Sequence, residues 1–431
     1  MSYKVGAASV DITPPLGTYI AGYFYERRAE GVIDPLLVNS VVVSDGNEMW
    51  AIASCDLIGF TLEVTDRIRK VLAEKAGFKP EQVMICCTHT HTGPVTTPNS
   101  APFLMEESYL EFLIQRISDS IIMAKNNMVE AEGYCGRGTV EGVAFNRRYW
   151  MKDGTVDTNP GVNNPDIVRP AGPVDPELGV VYFKNNETGE LITIIANYAL
   201  HADIIGGNLI SPDYPGYMRK ALHKFTDTNI PIIFTRGSAG DINHRDVHPD
   251  PESPQGAALS EAIGKMLAAE IIKVMETPRK TKCQGSVWYK YKRDIQMPIR
   301  TVTEEEVAEA QKIVDTVVPT SNKCPDVIRA RRILNAAKMQ DNPLKTEVQA
   351  LGLGNVAFAG LPAEIFVEIG LDIKAKSQIP YTWIVDLAND KFAYVPTEKA
   401  YSEGGYEVNT SVLEPHAGEI LKKAALELLA K

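Results

Sequence analysis

The chain has 431 residues, enough for one large domain or two ordinary ones. Its net charge of −11 and pI of about 5.3 argue against nucleic-acid and anionic-membrane partners, because no basic field exists to attract them. No run of about 18 apolar residues occurs, so no membrane-spanning helix is predicted.

Short apolar runs alternate with amphipathic stretches along the chain. The runs that predict strands are VVVS (41–44), MWAIASC (49–55), VMICC (83–87), LITIIANYAL (191–200), PIIF (231–234), VAFAG (356–360) and TWIVDL (382–387). The stretches that predict helices are 62–77, 107–127, 214–225, 256–275 and 412–430, with Pro415 in the first turn of the last. This alternation predicts an α/β fold of mixed β-sheets layered with flanking helices, in one domain over 1–431 with a possible subdomain at 283–345.

Two segments and the cysteines complete this prediction. Residues 150–177 and 244–257 are rich in Gly, Pro, Asn and Asp and predict long loops. The six cysteines form no CxxC pair, and we expect all to be reduced packing residues. The N-terminal MSYKVGAASVDITPP has no signal-peptide pattern, so a cytoplasmic protein is expected, although a secreted chain without its leader would look the same.

Histidines follow two of the predicted strands. His89 and His91 lie in THTHTGP directly after VMICC, and on a strand their side chains would share one face. His201 follows LITIIANYAL in the same way. Imidazole and carboxylate are zinc ligands, and Glu364 lies just beyond another predicted strand. From spacing alone, a metal site and ordinary structural histidines remain equally open, and for Glu364 taken alone the favoured interpretation is a glutamate that complements a helix dipole.

Two turns with small or capping residues are further candidates. Ser238 and Asp241 lie in GSAGDIN, which ends at Asn243 and follows a predicted strand, so its backbone could approach a ligand closely. Asp213 lies in SPDYPG, which has the form of a helix start, and plain capping explains it as well as a site role does.

Several of these segments occur together in a characteristic order from about residue 7 to about residue 415. They are ASVDITPP, THTHTGP, the NR pair at 146–147, His201 with SPDYPG downstream, GSAGD, LPAE and LANDKFAYVPT. Taken together they resemble the neutral/alkaline non-lysosomal ceramidase family over nearly the whole chain. The resemblance implies a zinc-dependent hydrolase of amide bonds.

The resemblance also implies roles for individual residues. The implied zinc ligands are His89, His201, Glu364 and Tyr394. His91 and Arg147 match residues that line the family's substrate site, and His91 or Asp241 is expected to carry the proton to the leaving amine. The remaining candidates for substrate binding are Asn146, Ser238, Asn243 and Asp213.

The sequence departs from the family in four respects. Asn243 stands where the family's catalytic serine is expected, and LLVNSVVV replaces an arginine-rich strand near residue 40. Neither a secretory leader nor a C-terminal immunoglobulin-like domain is recognised. We therefore expect direct attack by activated water on a small polar N-acyl substrate, such as an N-acylated sugar or amino acid, rather than on membrane ceramide.

Two other functions remain open from the sequence. One is hydrolysis of an ester or lactone at the same zinc site, and the other is substrate binding without turnover. Retention of the implied ligands argues against the second. The sequence does not predict an oligomeric state.

Overall fold

The computed structural model describes residues 3–23, 25–97, 105–278, 280–316, 325–340 and 344–430. The strands within them are β1 (Tyr3–Asp11), β2 (Gly31–Val32), β3 (Leu37–Ser44), β4 (Met49–Cys55), β5 (Val83–Cys87), β6 (Val129–Thr139), β7 (Phe145–Asn146), β8 (Arg148–Met151), β9 (Val156–Thr158), β10 (Ile167–Pro170), β11 (Glu177–Asn185), β12 (Leu191–Tyr198), β13 (Leu209–Ile210), β14 (Ile232–Arg236), β15 (Ile242–Asn243), β16 (Lys280–Lys282), β17 (Val287–Met297), β18 (Leu344–Leu353), β19 (Val356–Gly360), β20 (Glu364–Ile365), β21 (Tyr381–Val385) and β22 (Tyr394–Val395). The helices are α1 (Leu62–Ala76), α2 (Glu107–Asn126), α3 (Tyr214–Thr226), α4 (Gly256–Glu276), α5 (Glu304–Thr316), α6 (Pro325–Met339), α7 (Val367–Lys376), α8 (Glu398–Glu403), α9 (Tyr406–Thr410) and α10 (Ala417–Leu429).

Two mixed sheets form the centre of the structure. The larger has the strand order β14-β12-β11-β6-β1-β3-β4-β5, with β16 added beside β6. Its outer pairs, β12 with β14 and β4 with β5, are parallel, and the strands between them are antiparallel. The Ser54 hydroxyl in β4 donates to the Phe234 carbonyl in β14, so the two ends of this sheet approach each other.

Alternating side chains on the strands separate the layers. In β12, Ile194 and Ala196 pack with residues of α3 and α4, whereas Ile195 faces the second sheet, β17-β18-β19-β21. In β19 of that sheet, Phe358 packs in the same apolar cluster as Ile195, between the two sheets. Ala359 faces the opposite side of the second sheet, where α7 and α10 pack. The result is four layers in the order helices, sheet, sheet, helices, which confirms the predicted α/β class.

The predicted elements match the observed ones closely, with two corrections. The strands over 49–55, 83–87 and 356–360 have the predicted bounds. The last helix begins at Ala417, because Pro415 and His416 precede it, so Pro415 is not in its first turn. The predicted loop over 150–177 contains short strands, β9 and β10, which pair with β8 in a three-stranded sheet.

The segment 283–345 contributes to the second sheet. Its strand, β17, pairs along its length with β18, and α5 and α6 pack against the same apolar cluster as α10. Cys55, Cys86, Cys87, Cys135 and Cys283 are buried and unbridged, and Cys324 lies outside the described residues. No helix in the described part of the chain has the length and apolar character needed to cross a membrane.

Asp390 links the two halves of this layered structure. Its Oδ1 accepts hydrogen bonds from the backbone N–H groups of Leu62, at 3.0 Å, and Lys391, at 2.9 Å. Its Oδ2 accepts one from the Thr346 hydroxyl in β18, at 2.9 Å. Burial nevertheless raises the pKa of Asp390 to about 7.

We therefore expect Asp390 to make stability depend on pH. A carboxyl group whose pKa is raised on folding contributes stability below its unfolded pKa, about 4, and loses that contribution as pH rises through about 7. The Asp390→Asn variant should remove this dependence, at roughly 1.4 kcal/mol per pKa unit. Urea unfolding of both proteins from pH 4 to pH 8 measures it; parallel stability curves would show that Asp390 does not titrate in this range.

Candidate metal and catalytic site

His89 and His201 are brought together by the ends of β5 and β12. His89 lies just past β5, and its backbone N–H donates to the Leu57 carbonyl at 2.9 Å. The two imidazole centroids are 4.9 Å apart. The local geometry differs from the predicted one, because β5 ends at Cys87 and His89 has a φ of 68°. The direction of the His89 ring is therefore set by a left-handed backbone conformation. It is not set by the alternation of side chains along a strand, as predicted from the sequence.

The second ring nitrogen of each histidine fixes its orientation. Nδ1 of His89 donates to the Ile58 carbonyl at 2.7 Å, and Nδ1 of His201 donates to the Ile242 carbonyl at 2.8 Å. A carbonyl oxygen can only accept, so in each neutral ring the proton is on Nδ1 and Nε2 carries a lone pair. Burial lowers the pKa of both histidines to about 3, which keeps them neutral.

Both Nε2 atoms face the same carboxylate oxygen. Oε2 of Glu364 lies 3.2 Å from Nε2 of His89 and 3.2 Å from Nε2 of His201. Burial opposes ionisation of Glu364, but the nearby ammonium group of Lys391 acts in the opposite direction, and the pKa of this carboxyl lies well below its usual range. Two lone pairs and an anionic oxygen therefore converge on one point, an arrangement that a cation between them would stabilise.

A short strand pair places Tyr394 beside Glu364. Strands β20 and β22 are parallel, and Glu364 is the register partner of Tyr394. Burial raises the pKa of Tyr394 well above its usual value, although the nearby charge of Arg147 acts in the opposite direction. Arg147 lies with its guanidinium carbon 5.3 Å from the centre of the Tyr394 ring. The four residues that the resemblance implies as ligands thus lie close together, with Tyr394 half-buried and the other three buried.

His91 lies beside the other two histidines but is held differently. The ligand atoms of His89, His91 and His201 all lie within 4.8 Å of one another. Neither ring nitrogen of His91 has a hydrogen-bond partner in the described structure, and both nitrogens are buried. Its ring is instead packed edge-on against Tyr23 at 5.5 Å. No backbone group among the described residues selects its tautomer, and burial lowers the pKa of His91 to about 3, so this ring is also neutral.

Arg147 is tied into the polypeptide. Its Nε pairs with Glu407 Oε1 at 2.6 Å, and its NH2 group donates to the Gly240 carbonyl at 2.7 Å. The predicted substrate-binding arginine therefore has its charge balanced by Glu407, a residue in α9 that the sequence did not single out. Its guanidinium also lies beside the rings of Tyr394 and Tyr406.

Asn146 and Asp241 form a buried pair behind the site. Asn146 Nδ2 donates to Asp241 Oδ2 at 2.7 Å, and the Val367 backbone N–H donates to Oδ1 at 2.8 Å. Burial raises the pKa of Asp241 to about 6. Both of its oxygens have partners within the chain, so this pair fixes the start of α7 relative to β7.

Asn243 and Ser238 occupy different surroundings. Asn243 Nδ2 donates to Asn159 Oδ1 at 2.9 Å, and its Oδ1 accepts from the Arg245 N–H at 3.0 Å. Ser238 is buried against α7, where a Cβ at Gly370 would lie 2.3 Å from its hydroxyl oxygen. Its hydroxyl has no hydrogen-bond partner in the described structure.

Asp213 serves as the cap of α3. Its Oδ1 accepts from the Tyr214 N–H at 2.6 Å and from the Ser260 hydroxyl at 2.7 Å. Its Oδ2 accepts from the N–H groups of Ile204, at 2.8 Å, and Ile205, at 2.9 Å. The structure therefore gives Asp213 the capping role, and these bonds hold the loop that follows His201.

Lys391 is a neighbour of the site that sequence reasoning missed. Its Nζ lies 3.4 Å from Glu364 Oε1, and its side chain is 19% exposed. The residue lies inside the LANDKFAYVPT segment, but a lysine three positions before a tyrosine carries no recognisable pattern. The pairing of β20 with β22, which begins three residues after Lys391, brings this part of the chain beside Glu364.

Solved structures of known proteins share the fold of this chain. Neutral ceramidase from Pseudomonas aeruginosa is similar in structure, with a TM-score of 0.79 and 18% identity over 100% of this chain and 74% of that one. A ceramidase complexed with C2 has a TM-score of 0.76 and 17% identity, over 100% of this chain and 75% of that one. At these identities the similarity shows a shared fold.

The sequence comparison identifies the family. No curated protein matches the sequence. The family model of the neutral/alkaline non-lysosomal ceramidases, N-terminal, matches residues 3–243, which is more than half of the chain. The chain therefore belongs to the neutral/alkaline non-lysosomal ceramidase family, whose members are hydrolases that act on amide bonds.

Proposed function

We propose that this protein is a zinc-dependent hydrolase that cleaves the amide bond of a small, polar N-acyl compound. The observation that carries the proposal is the convergence of two Nε2 lone pairs, from His89 and His201, on Oε2 of Glu364 at 3.2 Å each. Nitrogen and carboxylate oxygen are the donors that zinc prefers. His89, His201, Glu364 and Tyr394 would hold the ion.

A bound zinc ion would assist the attack of water on the amide carbonyl. Zinc at this position would act as a Lewis acid on the substrate carbonyl and lower the pKa of water to about 7. The net reaction adds water to the carbonyl carbon, breaks the C–N bond and leaves a carboxylate and an amine.

His91 is the residue that we assign to proton transfer. Its two ring nitrogens have no partner among the described residues, whereas both oxygens of the alternative, Asp241, accept hydrogen bonds from the chain. His91 would take a proton from the attacking water and deliver it to the nitrogen of the leaving amine. We assign Asp241 and Asn146 to positioning.

Arg147 and Asn243 support this arrangement. The guanidinium of Arg147, fixed by Glu407, would stabilise negative charge on the Tyr394 oxygen. The side-chain amide of Asn243 is engaged at both its nitrogen and its oxygen. An amide cannot attack a carbonyl as a serine hydroxyl can, so the proposed mechanism has no covalent acyl-enzyme.

The test is an activity screen of the zinc-loaded protein. The substrates are N-acyl amino acids, N-acyl amino sugars, matched esters and a short-chain ceramide, with release of amine or alcohol measured by mass spectrometry. Turnover of an N-acyl compound supports the proposal. Protein with stoichiometric zinc that cleaves only esters, or nothing, contradicts it.

Ser238 gives a second prediction. Its hydroxyl is packed against α7 and is not among the groups that converge on Glu364, so Ser238→Ala should change kcat/KM by less than about tenfold, or ~1.4 kcal/mol. Steady-state kinetics and quench mass spectrometry measure the effect. A loss of several orders of magnitude with zinc still bound, or a trapped acyl adduct, would show that Ser238 acts as the nucleophile.

A further inference from the structure

A small cleft opens beside the proposed ligands Glu364 and Tyr394. Its other lining residues are Thr97, Arg332, Lys391, Phe392 and Ala393. Its volume of about 30 Å³ suits a group the size of a carboxylate and not an acyl chain. Two of the lining side chains are cationic, and neither belongs to the proposed ligand set.

Lys391 is held in place at this cleft by its aliphatic stem. The stem lies against the backbone of Gly59, where a Cβ would be 2.2 Å from Lys391 Cδ. Among the described residues, the ammonium group forms an ion pair only with the outer oxygen of Glu364, Oε1, at 3.4 Å, and the Lys391 side chain is 19% exposed. The Oε2 atom, which faces His89 and His201, is not involved in this contact. One side of the ammonium is therefore available to a ligand.

Arg332 supplies the second charge from a different part of the chain. It lies on α6, which packs beside α9, and its charge acts on Tyr406 of that helix. The Tyr406 ring packs against Tyr394 at 5.7 Å. Within the described part of the chain no carboxylate forms an ion pair with Arg332. Arg147 differs in this respect, because Glu407 balances its charge.

We propose that Arg332 and Lys391 bind a carboxylate of the substrate next to the scissile amide, so that the preferred substrates are N-acyl amino acids. The inference rests on the proposed function and gives it a substrate class. Arg332 offers a planar pair of donors for a carboxylate, and Lys391 offers a point charge. Hydrolysis would convert an N-acyl amino acid and water into a fatty or short-chain carboxylate and a free amino acid.

The experiment compares two substrates that differ only in charge. N-Hexanoylglycine carries the carboxylate, and N-hexanoylglycinamide replaces it with a neutral amide. The zinc-loaded protein should cleave the acid with a kcat/KM at least about tenfold higher, since a hydrogen bond to a charged group is worth about 1.5–3 kcal/mol. Calorimetry should show the same preference in binding.

Variants of α6 identify the group responsible. Arg332→Gln should lower kcat/KM for the acid by about tenfold or more and that for the glycinamide much less, so that the ratio of the two falls toward one, and Arg332→Glu should disfavour the acid further. Arg331→Gln, at the adjacent position outside the cleft lining, is the matched control and should keep the wild-type preference. Lys391→Met should weaken binding of the acid, but its contact with Glu364 makes zinc content a necessary second measurement.

The outcomes separate this inference from the proposed function. Equal cleavage and equal binding of the two compounds, unaffected by Arg332→Gln, would overturn the carboxylate site while leaving an amide hydrolase. Absence of cleavage of both compounds would contradict the proposed function, and the calorimetric comparison would still decide whether Arg332 and Lys391 bind a carboxylate.

Discussion

Replacing Glu364 with alanine should leave the protein without stoichiometric zinc and without measurable turnover. The carboxylate is the group on which both Nε2 atoms converge, each at 3.2 Å, and its low pKa keeps it ionised. Without it, two neutral imidazoles and Tyr394 would face the ion with no carboxylate. Zinc content after dialysis, and the rise in Tm that zinc causes in the wild-type protein, measure the effect.

A matched control separates loss of the ligand from loss of stability. Glu347 is equally buried but lies in the second sheet, where it pairs with Arg69 at 2.8 Å and accepts from the Tyr291 hydroxyl at 2.6 Å. Glu347→Gln should lower the free energy of unfolding and keep the zinc. If Glu364→Ala also kept full zinc occupancy and normal kcat, the ligand assignment would be wrong.

The sequence predicts the layers of the fold better than it predicts the middle of the large sheet. Strand β6 was missed because its sequence, VEAEGYCGRGT, is polar and contains three glycines, which weaken any strand pattern. The structure explains two of them by close packing. A Cβ at Gly133 would lie 2.8 Å from the Phe183 ring, and a Cβ at Gly138 would lie 2.5 Å from Glu270.

The site was predicted only as far as local patterns and the family resemblance extend. The histidines lie directly after apolar strands, so the sequence alone identifies them as candidate ligands. Tyr394 was a candidate ligand only because of the family resemblance. Glu407 and Lys391 could not be found in either way, because each acts through a neighbour that is distant in sequence. Glu407 balances Arg147, 260 positions away along the chain, and Lys391 contacts Glu364.

The two carboxylates, Glu407 and Glu364, explain why Arg147 has a different role from Lys391 and Arg332. Arg147 is buried in an ion pair and fixes Tyr394, so removing its charge would disturb the protein itself. Lys391 and Arg332 lie at a cleft, and the only carboxylate that contacts either of them among the described residues is Glu364, through its outer oxygen. If Glu364 holds a metal ion as proposed, Lys391 and Arg332 are the cations in this cleft that can pair with an anionic substrate.

The His91→Ala variant should keep its zinc but lose roughly 10²- to 10⁴-fold in kcat. The reason lies in the difference between His91 and the other two histidines. Backbone carbonyls at 2.7 and 2.8 Å fix the tautomers of His89 and His201, as metal ligands require, and no group in the described part of the chain does so for His91. Added imidazole should restore part of the rate, because the space that the side chain occupied can accept it.

The same variant decides between two possible metal centres. One ring nitrogen from each of the three histidines lies within 4.8 Å of the others, so a centre made of His89, His91 and His201 is the competing arrangement. If that arrangement is correct, His91→Ala will lose zinc as Glu364→Ala is expected to do, and imidazole will restore metal and rate together. If His91 transfers protons, zinc content will stay at the wild-type level while kcat falls. The exposed His248 provides the control, since His248→Ala should change neither quantity.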